Sequence, residues 1–159
     1  MTRTLRLAPV LAIALALAIA APAHAERPPL GLRAGYTSWE SIHQFHFGGH
    51  AKLGDVFPNV ALVPGLEVGL GDNVTIITAN GDMVYRVTEM TEAPWGPYIG
   101  GSLSFNFVDT DAGSDSDLGL SAVGGTTYQL DNGNEVFGEL RLGIMDSPGL
   151  KITAGYTFF

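Results

Sequence analysis

The sequence contains no cysteine, so no disulfide can hold the fold. Only 8 of its 159 residues are Lys or Arg, against 16 Asp or Glu, which gives a formal net charge of −8. Nucleic acid is therefore not expected as a partner, because its phosphates attract basic proteins. After residue 25, no hydrophobic run approaches the roughly 18 residues of a transmembrane helix. A complete sheet, a metal or a membrane must supply the stability instead.

The first 25 residues, MTRTLRLAPVLAIALALAIAAPAHA, have the three parts of a secretory signal peptide. A basic start precedes an apolar segment, and the A-x-A sequence that ends at Ala25 is a cleavage site. We predict a Sec signal peptide over residues 1–25 and one domain over residues 26–159. An uncleaved anchor is the alternative, but the apolar segment is short for a membrane span.

Hydrophobic and polar residues alternate with a period of two in the rest of the chain, which is typical of β-strands with two unlike faces. Connectors rich in Gly, Asp, Asn and Pro separate the strands. The predicted strands are residues 30–39, 43–53, 60–70, 74–87, 95–107, 118–130, 135–145 and 150–159. They indicate an all-β up-and-down sheet whose strands reach the length of about 9 to 11 residues that crosses a bilayer.

The two faces of these strands differ in chemistry. One face carries large apolar residues, among them Leu32, Leu103 and Leu142. The other carries ionisable residues of both signs: Arg33, His46, His50, Lys52, Glu67, Asp82, Arg86, Glu139, Arg141 and Lys151. A lipocalin-like soluble barrel would turn its apolar face inward, whereas a membrane barrel turns it outward.

Glycine decides between these two arrangements, because 11 glycines share the charged face. On a wet exterior they would only weaken the strands, but inside a narrow barrel they make room for long side chains. We therefore predict a closed antiparallel up-and-down eight-stranded transmembrane β-barrel with its charges inside. In the confined lumen these charges should pair as a plug rather than act as catalytic carboxylates with cationic helpers.

Aromatic residues are predicted to form two girdles at the membrane surfaces. With both termini in the periplasm, the girdle near the periplasmic rim contains Tyr85, Trp95, Tyr128, Tyr156 and Phe158. The girdle near the outer rim contains Tyr36, Phe45, Phe105 and Phe107. Scattered core aromatics are the alternative interpretation.

The stretches GLRAGY, PWGPYIGGSLSFNF, GGTTYQLDNGNEVFGELRLG and ITAGYTFF resemble the small eight-stranded outer-membrane β-barrel family that includes outer membrane protein X and the opacity proteins. The resemblance implies a monomer in the bacterial outer membrane, with lipid and lipopolysaccharide around it. It also implies that the barrel-assembly machinery reads the C-terminal strand. The last strand in that family commonly ends in Phe with a Tyr two positions earlier; Tyr156 and Phe158 match, and Phe159 is additional.

Two groups of residues have the chemistry of metal ligands. His46 and His50 share one face of a strand but are roughly 13 Å apart along it, too far to hold one metal, so hydrogen-bonding roles are favoured. The segment DTDAGSDSD, predicted as the longest outer loop, carries Asp109, Asp111, Asp115 and Asp117. Its spacing is not that of an EF-hand, and a solvated acidic tip is favoured over a weak calcium or magnesium site. No metal and no cofactor is assigned.

These features favour a structural or surface-interaction role without catalysis. No serine stands in a convincing nucleophilic arrangement, and eight strands leave a lumen just wide enough for side chains, which argues against a diffusion porin. The alternative is an outer-membrane lipid-modifying enzyme, or a conduit for a small apolar ligand.

Overall fold

The computed structural model of the protein describes residues 28–39, 42–71, 74–87, 94–110 and 113–159. The predicted signal peptide lies outside the described residues. Within them, no helix is long and apolar enough to cross a membrane. The strands are β1 (Leu30–Trp39), β2 (Ile42–Ala51), β3 (Asp55–Phe57), β4 (Val60–Gly71), β5 (Val74–Arg86), β6 (Trp95–Thr110), β7 (Gly113–Gln129), β8 (Glu135–Met145) and β9 (Leu150–Phe158).

The sheet closes on itself into a barrel of eight long strands. All pairings are antiparallel, in the order β2-β1-β9-β8-β7-β6-β5-β4, and β2 also pairs with β4. The first and last strands meet from Leu30 opposite Phe158 to Ser38 opposite Leu150. The predicted closed antiparallel eight-stranded barrel is confirmed. We call the end where β1 begins and β9 finishes the terminal end, and the opposite end the far end.

Two strand predictions were wrong. Residues 55–57 form the short β3, which pairs with the start of β4 beside the point where β2 ends. β6 and β7 extend as far as Thr110 and Gly113, so most of the segment predicted as a loop is a paired hairpin. Alternation could not show this extension because its side chains are mostly polar on both faces, whereas the backbone ladder needs no apolar side chains.

Pro64 lies within β4 without shifting its register and stands opposite Gly81 of β5. The backbone N–H of Leu62, two residues earlier, points away from β5 and donates to the carbonyl of Gly54 at 3.1 Å. Backbone N–H groups two residues apart in a strand point in the same direction. The donor that Pro64 lacks would therefore face the place where β2 gives way to β3. Proline is tolerated in a sheet at such an interruption of the ladder.

The apolar face of the barrel points outward. Leu32 is 63% exposed, Ile99 59% and Leu103 54%. On the opposite face, Glu67 and Asp82 are each only 1% exposed. The burial of the charged face excludes the lipocalin-like arrangement, in which the apolar side chains would fill the interior.

Inner-face glycines lie directly against large side chains from other positions. A Cβ atom added to Gly31 would lie 2.2 Å from the ring of His50, and one added to Gly125 would lie 2.6 Å from the ring of Tyr98. Outer-face glycines have open space at the same position: Gly81, Gly124 and Gly138. The excess of inner-face glycine thus has a steric cause, since a side chain there would occupy the volume that the lumen residues need.

Candidate functional site in the barrel lumen

A continuous chain of buried ion pairs crosses the lumen, and we call it the ion chain. It begins at Lys151 of β9, whose Nζ contacts Glu67 of β4. Glu67 Oε1 lies 3.2 Å from Nη1 of Arg33 in β1, and the same Nη1 lies 3.5 Å from Oδ2 of Asp82 in β5. The side chains of these four residues are 1–8% exposed. Their pairing joins strands that are distant in sequence.

Arg141 of β8 completes the ion chain. Its Nη2 lies 2.5 Å from Asp82 Oδ2, its Nη1 donates to Asp82 Oδ1 at 2.9 Å, and its Nε donates to Glu139 at 2.6 Å. Nη1 also donates to Ser102 at 3.0 Å. With the Asn80 amide oxygen turned toward it, Nη1 has a further acceptor at 2.8 Å. The guanidinium therefore binds one carboxylate through both terminal nitrogens and a second through Nε.

The formal charges of the ion chain cancel. Three cations, Arg33, Arg141 and Lys151, face three carboxylates, Glu67, Asp82 and Glu139. Burying ions is unfavourable unless each is paired and hydrogen-bonded, and this arrangement meets that requirement. Its chemistry is therefore that of a cross-link between strands across the barrel axis.

The two lumen histidines are held by threonines. His46 Nδ1 lies 2.8 Å from Thr37 Oγ1, and its Nε2 lies 3.1 Å from Thr153 Oγ1. His50 Nε2 lies 2.9 Å from Thr157 Oγ1. Among the described residues, no group of three or more His, Cys, Asp or Glu side chains could hold a metal ion.

Two of the ionisable residues predicted in the lumen lie at its mouth instead. Arg86 is the last residue of β5; its side chain is 53% exposed and pairs with Asp55 of β3. Lys52 pairs with Glu135, and its Nζ also lies 5.4 Å from the ring centre of Phe159. Both residues are on the face of the strand that points inward, but at the terminal end of the barrel the side chains of this face reach the rim. Neither is therefore part of the plug across the axis.

The far end of the lumen is closed by uncharged polar groups. The turn between β8 and β9 folds inward, so that Ser147 is 9% exposed and its Oγ lies 3.4 Å from that of Ser104. Asn106 Nδ2 donates to the backbone carbonyl of Asp146 at 3.3 Å. On the other side, Gln44 Nε2 donates to the carbonyl of Val74 at 2.7 Å. A cavity of about 20 Å³ lies beside Ser104 and Asn106, between these groups and the ion chain residues Arg141 and Lys151.

Several lumen residues were missed by the sequence analysis, which followed charge. The phenol of Tyr98 donates to Glu139 at 2.9 Å and extends the ion chain to β6. Apolar residues also face inward near the terminal end, where Val63, Val84, Tyr98 and Val123 form a buried cluster. Their inward parity was readable from the sequence, because each lies an even number of residues from a predicted inward residue on its own strand.

The described acidic residues of the β6–β7 hairpin are divided between the two faces of the sheet. Asp115 stands opposite Val108 on the inward parity, whereas Asp109 stands opposite Ser114 on the other face. Asp117 is opposite Asn106, and Asp111 lies outside the described residues. Asp109 therefore lies on the opposite face from Asp115 and Asp117, and the weak cation site stays a prediction.

The aromatic residues of the two predicted girdles lie toward the two ends of the barrel. At the terminal end, Trp95 stands opposite Tyr128 with their ring centres 4.8 Å apart. Toward the far end, Tyr36 stands opposite Phe45 with a ring separation of 5.9 Å. Others lie on the same two levels: Tyr85, Tyr156 and Phe158 at the terminal end, and Phe105 and Phe107 toward the far end.

Comparisons with known proteins identify the fold. No protein-family model and no curated protein sequence matches the chain. The crystal structure of Neisserial surface protein A is similar with a TM-score of 0.59 at 12% identity, over 81% of this chain and 93% of that one. A de novo designed transmembrane β-barrel is similar with a TM-score of 0.51 at 14% identity, over 84% and 97%. At these identities the likeness shows a barrel architecture shared with membrane proteins.

Proposed function

We propose that the protein is a monomeric β-barrel of the bacterial outer membrane, with both termini in the periplasm and a structural or surface-interaction role. One observation carries this proposal: a charge-balanced ion chain crosses the lumen of a barrel whose exterior is apolar. Such an exterior is suited to lipid, and closure satisfies the backbone there. The interior is suited to holding strands together rather than to transport.

The C-terminal strand supports a role for the barrel-assembly machinery in insertion. β9 ends with Phe158 on the outer face, 51% exposed, after Thr157 on the inner face. Phe159 turns to the mouth, where its backbone N–H donates to Asn134 at 3.1 Å. The terminal aromatic pair therefore leaves one ring on the lipid side, as the proposed recognition requires, and one against the rim.

Cysteine labelling tests both the location and the orientation, and the chain offers a background without native thiols. Ser114 is exposed at the far-end hairpin, and Asp131 is exposed in the turn between β7 and β8 at the terminal end. In intact cells, a membrane-impermeant maleimide should label Ser114→Cys and leave Asp131→Cys unlabelled until the outer membrane is permeabilised. If only Asp131→Cys were labelled in intact cells, the orientation would be the reverse of the one proposed. If neither variant were labelled after permeabilisation of the outer membrane, the proposed location would be wrong.

The unmodified protein should conduct ions poorly in a planar bilayer. The ion chain fills the middle of the lumen, and the inward turn at residues 146–149 narrows the far end to a cavity of about 20 Å³. We expect these two consecutive constrictions to interrupt the water column that ions would need. Single-channel recording is the measurement, and a large, steady conductance would favour a small-solute channel.

A further inference from the structure

The terminal half of the lumen contains a cavity of about 470 Å³, which we call the chamber. Its floor is the ion chain, represented by Arg33, Asp82 and Glu139, and its rim carries Lys52 and Arg86. The volume falls within the range of roughly 300 to 1,000 Å³ that small-molecule sites occupy. The far-end cavity is more than an order of magnitude smaller, so the lumen is packed unevenly along its axis.

The walls of the chamber are largely apolar. Val63 and Val84 contribute aliphatic surface from neighbouring strands, while Tyr98 and Phe137 contribute aromatic rings. These side chains are only 7–9% exposed, so they enclose the chamber rather than cover the outside of the barrel. Apolar walls with a few polar groups are typical of sites for small organic molecules.

The charges around the chamber are already paired. Arg33 contacts Glu67 and Asp82 at the floor. At the rim, Lys52 pairs with Glu135 and Arg86 pairs with Asp55. A charged molecule would leave its own charge without a partner or separate one of these pairs, and both are unfavourable away from water. The chamber therefore favours an uncharged occupant.

Two buried polar atoms of residues that line the chamber have no hydrogen-bond partner among the described residues: Arg33 Nε and His50 Nδ1. Arg33 is 4% exposed and His50 6%, and both residues line the chamber. An unpartnered buried donor is unfavourable, and native structures nearly always supply it with a partner. A hydroxyl group suits both positions, because it accepts from the guanidinium N–H and can donate to or accept from an imidazole nitrogen.

We propose that the chamber binds a small uncharged organic molecule with an apolar, ring-containing body and a hydroxyl group. The body would lie against Val84 and the rings of Tyr98 and Phe137. The hydroxyl would meet Arg33 Nε or His50 Nδ1 after a small movement of that side chain, because neither atom is open to the chamber in the structure. Because the ion chain closes the floor, the molecule enters and leaves by the terminal end. The chamber is thus a one-sided binding site and not a passage.

The probe for this proposal is 4-(trifluoromethyl)phenol, kept neutral at pH 6.5 and titrated into the full protein in lipid nanodiscs. We expect a saturable change in its ¹⁹F resonance above the partitioning seen in empty nanodiscs. Magnetisation transfer from the probe ring should reach the methyl groups of Val63 and Val84. Saturation without transfer to these methyls would place the probe elsewhere and overturn the proposal, as would a titration that matches empty nanodiscs.

Matched variants of neighbouring residues in β4 locate the site. Ala61 lines the chamber, so Ala61→Phe should fill part of it and weaken binding by about tenfold or more. Leu62 has the opposite parity, so Leu62→Phe should bind like the unmodified protein. Both variants are first checked for folding by comparing the gel mobility of unboiled and boiled samples. If both folded variants bound the probe equally weakly, or if both bound it as the unmodified protein does, a site inside the lumen would be contradicted.

Two related probes test the chemistry on the unmodified protein, so they do not depend on whether a variant folds. 4-(Trifluoromethyl)toluene lacks the hydroxyl and should bind about tenfold more weakly than the phenol once lipid partitioning is subtracted. 4-(Trifluoromethyl)benzoate carries a negative charge and should also bind more weakly. Tighter binding of the benzoate would overturn the assignment to uncharged molecules, and equal binding of the toluene would overturn the role of the two unpartnered atoms.

Discussion

Replacing Arg141 by alanine should lower the free energy of unfolding by about 3–5 kcal/mol, the usual effect of removing one partner from a buried ion pair. The guanidinium binds Asp82 through both terminal nitrogens and Glu139 through Nε. Without it, Glu139 keeps only the phenol of Tyr98, and Asp82 keeps only the 3.5 Å contact with Arg33, among the described residues. Two carboxylates would then share a lumen with too little positive charge.

Arg86→Ala is the matched control, because it removes the same side chain from the same face of the barrel. Arg86 is half exposed at the mouth, so its pair with Asp55 should contribute only about 0–1 kcal/mol. Denaturant unfolding from lipid vesicles, followed by the emission of Trp39 and Trp95, measures both variants. Similar losses for the two variants would show that the ion chain does not hold the barrel together.

Placing an arginine on the outer face at Leu140 should lower the free energy of unfolding by about 2–4 kcal/mol, as expected near the midplane of a membrane barrel. Leu140 is 44% exposed in the middle of β8, between Gly124 of β7 and Ile152 of β9. No described carboxylate of the outer face stands opposite it in register to pair with the new charge. The cation would therefore be surrounded by lipid.

Leu30→Arg is the control for depth, since Leu30 is also on the outer face but is the first residue of β1, at the terminal rim. An arginine there should have an effect of only about 0–1 kcal/mol, because its charge reaches the interface. The same unfolding measurement compares the two variants. A Leu140→Arg variant as stable as Leu30→Arg would mean that the apolar face does not meet lipid, and the membrane proposal would be wrong.

The sequence alone determined the direction in which each face points. Alternation with a period of two separated an apolar face from a face that carries glycines and, on six of the eight predicted strands, ionisable residues. This property is local because it follows from the pleat of the backbone. Inner-face glycines such as Gly31 and Gly125 then decided which face is crowded, since only a narrow closed lumen requires that space. Barrel closure followed, because an apolar outer face in lipid leaves no water to satisfy the backbone groups of an unpaired strand edge.

Only the tertiary structure decided which charges meet. Arg141 and Arg86 have the same chemistry and the same parity, yet one links two carboxylates at the barrel axis and the other lies half exposed at the mouth. The difference depends on depth along the axis and on the stagger between strands, which bring Asp82 to Arg141 across 59 residues of sequence. Parity repeats every two residues and carries no information about depth. The ion chain and the chamber beside it therefore come from the register of the closed sheet.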